Sequence, residues 1–525
     1  MMQQSDNTES KRLLIQSELD NLKLPDDRNK LGQFATPTQL ARDVIAYAMT
    51  LLPESTPIRF LDPAIGTGSF FSALASSDRR VESARGYEID PHYGIPAQEL
   101  WKSTHLKIEL SDFTLQAPPL RDTDKATLLI CNPPYVRHHH LDSHTKSRLQ
   151  HAVRASAKLS LSGLAGLYCY FMGLAHAWMA DNGIGGWLIP SEFMDVNYGR
   201  ALKAYLLRDV TLLRIHRFDP NDVQFDDALV SSSVVWLKNQ PPPVGHKVDF
   251  TYGGTLMQPS MSKRVSSEHL AQSDKWTRFP KQDIEVAHTG YRLGDFFSIK
   301  RGLATGDNKF FILDEREVER LNLPRQFLRP ILPSTRHIKS DEIAGDAAGV
   351  PLLEKRLFLI DCDRPQEEIE LQEPALWSYL QSGLERVSSG YLCRSRRYWY
   401  SQERRPAAPI VCTYIGRSDH AKPPFRFLLN NSNATATNVY LMLYPTPILA
   451  RQLSRDAGML RRIWQGLNAI SRETLLGNGR VYGGGMHKLE PKELSNVPVD
   501  ELAAIAGLHA KNTPTQLNLP DDAAA

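Results

Sequence analysis

Leu61-Asp62-Pro63-Ala64-Ile65-Gly66-Thr67-Gly68-Ser69-Phe70 changes character twice along its length. The apolar residues from Ile58 to Leu61 read as a strand, Gly66-Thr67-Gly68 as a tight turn, and Ser69 to Ser76 as a helix start. Glycines in such a turn let the backbone approach a ligand, and open α/β sheets take nucleotide-like ligands at the carboxyl ends of parallel strands. A lone Gly-x-Gly is also an ordinary turn, so its meaning depends on what surrounds it.

Outward from that run, β-rich segments recur at Ala84–Glu88, Leu106–Leu110, Thr127–Cys131, Gly186–Ile189, Thr211–His216 and Ser232–Leu237. Helical apolar spacing over Ala165–Ala180 and Tyr198–Leu207 alternates with them, which predicts an α/β domain on a mostly parallel sheet. Asn239-Gln240-Pro241-Pro242-Pro243 removes backbone donors and restricts its neighbours, so the first domain is expected to end near residue 240. The expected organisation is a helical extension over 1–30, a catalytic domain over 31–240, a mixed α+β domain over 241–510 and a frayed tail over 511–525.

Two acidic residues strengthen the ligand reading of the glycine turn. Glu88 closes the second strand, where a carboxylate can accept both hydroxyls of a ribose. Asp112 closes the third, followed by the aromatic Phe113. The fourth strand runs into Asn132-Pro133-Pro134-Tyr135. Consecutive prolines fix the backbone, so the Asn132 side-chain oxygen and the Pro133 carbonyl can form a rigid pair of acceptors. An exocyclic amine donating to both would have its lone pair turned out of ring conjugation toward an electrophile, and Tyr135 offers a face for the ring that carries it.

These segments, with Gly32-Gln33-Phe34-Ala35-Thr36-Pro37 before them, resemble the motifs of the gamma-class N6-adenine DNA methyltransferases of bacterial restriction-modification systems, the TaqI-like members above all. The resemblance implies a class I S-adenosylmethionine-dependent methyltransferase fold, Rossmann-like, followed by a DNA-recognition domain. It implies that Thr36, Asp62, Pro63, Ala64, Gly66, Gly68, Glu88, Ile89, Asp112 and Phe113 form the S-adenosylmethionine site. Asn132, Pro133, Pro134 and Tyr135 would receive an adenine flipped out of double-stranded DNA. Val223-Gln224-Phe225 before Val230-Ser231-Ser232-Ser233 is similar to the segment whose aromatic packs on the flipped base, which makes Phe225 the candidate. Ala35 departs from the family pattern, and so does the His138-His139-His140 run. Adjacent histidines in a regular element cannot all face one ion, so no metal is expected.

The second half differs in charge. Tyr391 to Arg480 carries 14 Lys plus Arg against 4 Asp plus Glu, in a chain whose net charge is only +3. Arginines interleaved with aromatics, as in Tyr391-Leu392-Cys393-Arg394-Ser395-Arg396-Arg397-Tyr398, suit a nucleic-acid surface. Arg394, Arg396 and Arg397 are candidates to meet phosphates. Arg301 in Arg301-Gly302-Leu303-Ala304-Thr305-Gly306-Asp307 and Lys488 in Gly485-Met486-His487-Lys488 join them, because both segments are similar to the family's recognition domain.

Composition excludes other classes. With 42% hydrophobic and 23% charged residues the chain reads as globular. The apolar stretch Leu164–Ala180 is too short and too polar to span a bilayer. A polar N-terminus and five scattered cysteines point to the cytoplasm. Three alternatives use the same residues: a protein glutamine-N5 methyltransferase, a cytosine-N4 methyltransferase, and an inactive DNA-binding specificity protein. The length of the basic second half argues against the first, Asn132 in place of serine against the second, and intact Asn132, Glu88 and Asp112 against the third. A separate restriction endonuclease reading the same site is the expected functional partner.

Overall fold

The computed structural model describes residues 2–24, 27–28, 31–219, 232–280, 290–417, 424–482 and 486–507. Phe225 and the tail over 511–525 lie outside the described residues. The chain divides into two compact units, one essentially Met1–Glu285 and the other from Val286 onward.

The first unit is built on nine strands: β1 (Ile58–Asp62), β2 (Val81–Glu88), β3 (Leu106–Leu110), β4 (Ala126–Cys131), β5 (Met179–Pro190), β6 (Thr211–Arg217), β7 (Ser232–Lys238), β8 (Lys247–Gly254) and β9 (Pro259–Ser266). Their order is β3-β2-β1-β4-β5-β7-β6-β8-β9. Strands β1 to β5 run parallel, whereas β7 is antiparallel to both its neighbours. This is the class I methyltransferase arrangement.

Every residue of β4 is buried, as a central strand covered on both faces must be. Its side chains alternate between two apolar layers. Leu128 and Ile130 join one core with α2 (Thr38–Leu51) and α3 (Ser69–Ala75), and Leu129 and Cys131 join the other with α5 (Ser143–Ala157) and α6 (Leu167–Ala175). Helix α2 forms because Leu40, Ala41, Val44, Ile45 and Ala48 bury one stripe at helical spacing. Between α3 and α5, α4 (Pro91–Trp101) begins with Pro91 at its first position and the Asp90 side chain accepting the His92 N–H at 3.0 Å. The remaining helices include α1 (Met2–Asn21) at the N-terminus and α7 (Gly199–Arg208) between β5 and β6.

Two expectations need correction. The helix expected over Ala165–Ala180 ends at Ala175, and β5 already begins at Met179. Gly183 and Gly185 disguise the first half of that strand, ahead of the Gly186–Ile189 run that the sequence reads as β. A Cβ on Gly186 would lie 2.6 Å from the Trp236 ring, and one on Gly183 would lie 2.8 Å from the Ala126 carbonyl. Glycine is used there because neighbouring strands fill the space. The prolines at 241–243 also do not end the domain. A turn at Val244–Gly245 follows them, closed by the His246 N–H on the Pro243 carbonyl, after which β8 returns to pair in parallel with β6 and β9 closes the edge. Proline stops a strand, but Val248 and Phe250 still seek the core.

The second unit is mixed α+β. Strands β10 (Phe297–Arg301), β11 (Glu342–Ala344), β12 (Ile410–Thr413), β13 (Phe427–Asn431) and β14 (Tyr440–Pro445) form a sheet of order β10-β14-β12-β13-β11. Two three-stranded sheets and short helices complete it.

Candidate functional site

The ends of β1, β2, β3 and β4 meet at one edge of the first unit. At β1, the buried Asp62 accepts the Ala64 N–H at 3.1 Å through its own side chain. The turn that follows is pinned by Ile65 N–H to the Tyr87 carbonyl and Gly68 N–H to the Ile65 carbonyl, both 2.9 Å. Gly66 and Gly68 hold φ of +54° and +91°, a region that L side chains rarely adopt. At Gly68 a Cβ would also stand 2.6 Å from Trp101 Nε1.

Glu88 connects the turn to β2. One carboxylate oxygen accepts the Gly66 N–H at 3.0 Å and the other accepts the Asp90 N–H at 2.9 Å. Each oxygen keeps a further lone pair for a hydroxyl donor. Burial raises the Glu88 pKa, against the pull of those two N–H groups. Beside it Ile89 is 65% exposed, an apolar side chain left open at a strand end. Asp112 caps Thr114 N at 2.8 Å. Arg148 of α5 donates to the Thr114 carbonyl and hydroxyl, both at 3.0 Å, and lies 3.9 Å from the Asp112 carboxylate. Phe113 differs from expectation. It is 3% exposed, with ring centroids of Tyr87, Phe171 and Trp178 between 5.2 and 5.6 Å away, so it supports the site from the core and has little open face.

At β4 the carboxamide of Asn132 is fixed in one orientation. Its Nδ2 donates to the Phe34 carbonyl at 3.0 Å and to Thr36 Oγ1 at 3.1 Å. Both partners lie in the Gly32–Pro37 segment, so Thr36, expected at the cofactor, holds Asn132. Because the amine side is committed, the Oδ1 faces the other way, and it is buried without a hydrogen-bond partner among the described residues. Such an acceptor costs free energy unless a ligand supplies a donor. Tyr135 is also held tightly, its N–H on the Gly32 carbonyl at 3.2 Å and its hydroxyl donating to the Leu188 carbonyl at 3.0 Å. Gly32, with φ +64°, permits that approach, since a Cβ there would be 2.4 Å from Tyr135 N.

Comparison with known proteins gives these groups a setting. Residues 94–224 match the Eco57I restriction-modification methylase family, and residues 280–518 match the C-terminal domain family of the Type II methyltransferase M.Eco57I. Type II methyltransferase M.AccI of Acinetobacter calcoaceticus is 25% identical over 89% of this chain and 85% of its own length. Type II methyltransferase M.XamI of Xanthomonas campestris pv. amaranthicola is 25% identical over 92% of this chain and 86% of its own. The chain belongs with the restriction-modification methyltransferases. At the level of fold, a structure of the Type IIL restriction-modification enzyme MmeI in complex with DNA aligns with TM-score 0.52 and 12% identity, covering 96% of this chain and 76% of that one.

In the second unit of this restriction-modification methyltransferase the basic candidates separate. Arg301 and Lys488 converge on one ring: the Arg301 guanidinium carbon is 4.2 Å and the Lys488 ammonium 4.9 Å from the Tyr414 centroid. The Tyr414 hydroxyl donates to Glu490 at 2.7 Å, and Lys488 pairs with Glu490 at 2.8 Å. Arg396 has a different task from the one expected. It donates to the carbonyls of Ala304 and Thr305, both at 2.9 Å, and so braces the loop after Arg301. Arg394 and Arg397 have no ion pair among the described residues, and Arg397 lies 5.1 Å from the Tyr398 centroid. The His138–His140 turn is largely exposed, and no cluster fit for a metal occurs among the described residues.

The sequence reading missed the parts played by Arg148 and by the Phe34 carbonyl, and it missed that the expected N-terminal helix α1 reaches the glycine turn through Arg12 and Gln16. None belongs to a local pattern, because each reaches the site across the fold.

Proposed function

We propose that the chain is a site-specific DNA methyltransferase of a restriction-modification system, using S-adenosylmethionine to methylate N6 of an adenine flipped out of double-stranded DNA. The observation that carries this reading is the buried Oδ1 of Asn132, without a hydrogen-bond partner among the described residues, at the end of β4 beside the ends of β1, β2 and β3. Glu88, Asp62, Ile89 and the glycine turn suit the cofactor, which when bound supplies a methyl group on a cationic sulfur. The names of its relatives support DNA as the substrate, and N6-adenine is the finer part of the proposal.

The chain's own residues then do three things. Extrusion of the base costs a few kcal/mol, offset by stacking beside Tyr135 and by hydrogen bonds to the base edge. Asn132 Oδ1 and the Pro133 carbonyl accept the two N–H bonds of the amine and aim its lone pair at the methyl carbon. During transfer of the methyl group that the cofactor would supply, leaving its sulfur neutral, the same two acceptors would stabilise the positive charge developing on the nitrogen until its extra proton leaves to water. Methylation-sensitive sequencing of DNA from a host expressing the chain tests the reading. Modified adenine at one motif is expected, and modified cytosine, modified glutamine in protein or no modification would overturn it.

Asp62 gives a pH prediction. Burial pushes its carboxyl up to about 7, the Ala64 N–H opposes this, and the nearby negative Glu88 adds to it. Its contribution to stability is therefore fully present below the ordinary value of 3.8 and is lost as pH rises through about 7. A cation bound beside it favours the ionised form. Binding of S-adenosylmethionine near pH 7 is expected to release more protons than binding of S-adenosylhomocysteine, as calorimetry in buffers of different ionisation enthalpy would show. Equal release would remove Asp62 from the neighbourhood of the sulfur.

For DNA, neutralising Arg394 and Arg397 is expected to weaken binding to all sequences. It should make the salt dependence shallower by up to about 0.9 in log–log slope per lost phosphate contact. Salt titrations on cognate and scrambled duplexes check this. Arg396 is left intact in that variant because its loss would collapse the Ala304–Thr305 loop.

A further inference from the structure

Helix α1 is attached to the first unit in an unusual way. Among its described side chains only Glu9 and Arg12 are fully buried, while Leu13 and Leu14 are 45% and 62% exposed. A helix that buries an ion pair and leaves its leucines outside gains little stability from docking, since desolvating two charges offsets most of their attraction. Its contacts are specific instead. Arg12 donates twice to Glu9 at 2.7 and 2.8 Å, to Thr67 Oγ1 at 3.1 Å and to Thr38 Oγ1 at 3.2 Å. Glu9 accepts from Ser72 Oγ at 2.5 Å and from Thr38 Oγ1 at 2.6 Å. One turn further along, Gln16 accepts the Thr67 hydroxyl at 2.6 Å.

Thr67 stands between the two left-handed glycines, and its carbonyl is taken by Trp101 Nε1 at 2.9 Å. The turn is thus held by Glu88 on one side and by α1 on the other. Thr38 follows two residues after Thr36, which orients Asn132. At its far end the N-terminal segment reaches the other strand end: Tyr93 donates to Asp20 at 2.8 Å, and Lys23 pairs with Asp90, to which Gln33 Nε2 also donates at 2.8 Å. Asp90 neighbours Glu88 and Ile89.

We propose that Glu9 and Arg12 are positioning residues for the cofactor: through Thr67, Ser72 and Thr38 they set the glycine turn, so that cofactor affinity depends on a helix that does not touch the cofactor. The inference rests on the cofactor reading above. The full chain carrying Arg12→Ala is compared with wild type by calorimetry with S-adenosylhomocysteine, by thermal unfolding with and without it, by steady-state kinetics and by DNA binding.

The dissociation constant for S-adenosylhomocysteine and the KM for S-adenosylmethionine are expected to rise about tenfold, ~1.4 kcal/mol, the size of one lost charged hydrogen bond. The rise in Tm produced by S-adenosylhomocysteine should shrink accordingly. The kcat at saturating cofactor and the DNA affinity should stay within about twofold. Thr38→Val, which removes only a hydroxyl shared by both partners, serves if Arg12→Ala does not fold, with a rise of about threefold expected. A dissociation constant within twofold of wild type in the folded variant overturns the inference, whatever happens to Tm, and so does a kcat that falls as far as kcat/KM. If wild type itself fails to bind S-adenosylhomocysteine, the cofactor reading falls, and this inference with it. Wild-type binding with equally tight variants overturns the inference alone.

Discussion

Replacing Asn132 by alanine is expected to lower single-turnover methyl transfer by roughly 10²–10³-fold, about 2.7–4 kcal/mol, the range for removing one preset oxyanion-hole donor, to which an acceptor facing a developing cation is the counterpart of opposite sign. Affinities for S-adenosylhomocysteine and for DNA should change only a few fold, since the Oδ1 acts mainly where charge develops on the amine. The variant also removes the hydrogen bonds that Asn132 Nδ2 donates to the Phe34 carbonyl and the Thr36 hydroxyl. Thr36→Val separates the two effects. It removes one of two acceptors that fix the carboxamide, and should cost about 1 kcal/mol in turnover without touching the base. Turnover within tenfold of wild type in Asn132→Ala would overturn the role assigned to the partnerless oxygen.

The second large effect is expected at Glu88. Glu88→Ala should raise the dissociation constant for S-adenosylhomocysteine by roughly 10²–10⁴-fold, because two charge-assisted hydrogen bonds to a ribose are worth about 1.5–3 kcal/mol each. Part of the loss is indirect, since the same carboxylate receives the Gly66 and Asp90 N–H groups and so shapes the turn. Glu88→Gln should also weaken binding, because an amide nitrogen cannot accept from either N–H. Calorimetry on the folded variants measures both, and an unchanged affinity in Glu88→Ala would place the ribose elsewhere.

The placement of these two residues shows what local patterns carry. Strand ends, glycine turns and the Asn132–Tyr135 tetrapeptide are written in consecutive residues, since backbone conformation and burial period act over a few positions. Their order along the chain was therefore enough to put Asp62, Glu88, Asp112 and Asn132 at the ends of adjacent parallel strands. Where glycine or proline sits for reasons of packing against another segment, the same logic misreads. Gly183 lies in a strand because the Ala126 carbonyl stands where its side chain would be, and Pro241–Pro243 interrupt the chain without ending the sheet.

By itself, then, the sequence determined an α/β methyltransferase-like core, the Asn132–Tyr135 turn at its fourth strand end and a basic second half. Tertiary structure alone decided which atom of Asn132 is left to accept, because that depends on Phe34 and Thr36 arriving from far along the chain. It turned Phe113 into the core, assigned Arg396 to a loop and Arg148 to Asp112, and brought Arg12, paired with Glu9, onto the glycine turn. A hydrogen bond is directional and satisfied by whichever group the fold delivers within about 3 Å. Sequence spacing encodes the strand or helix that carries a polar group, whereas its partner is fixed only when the layers close.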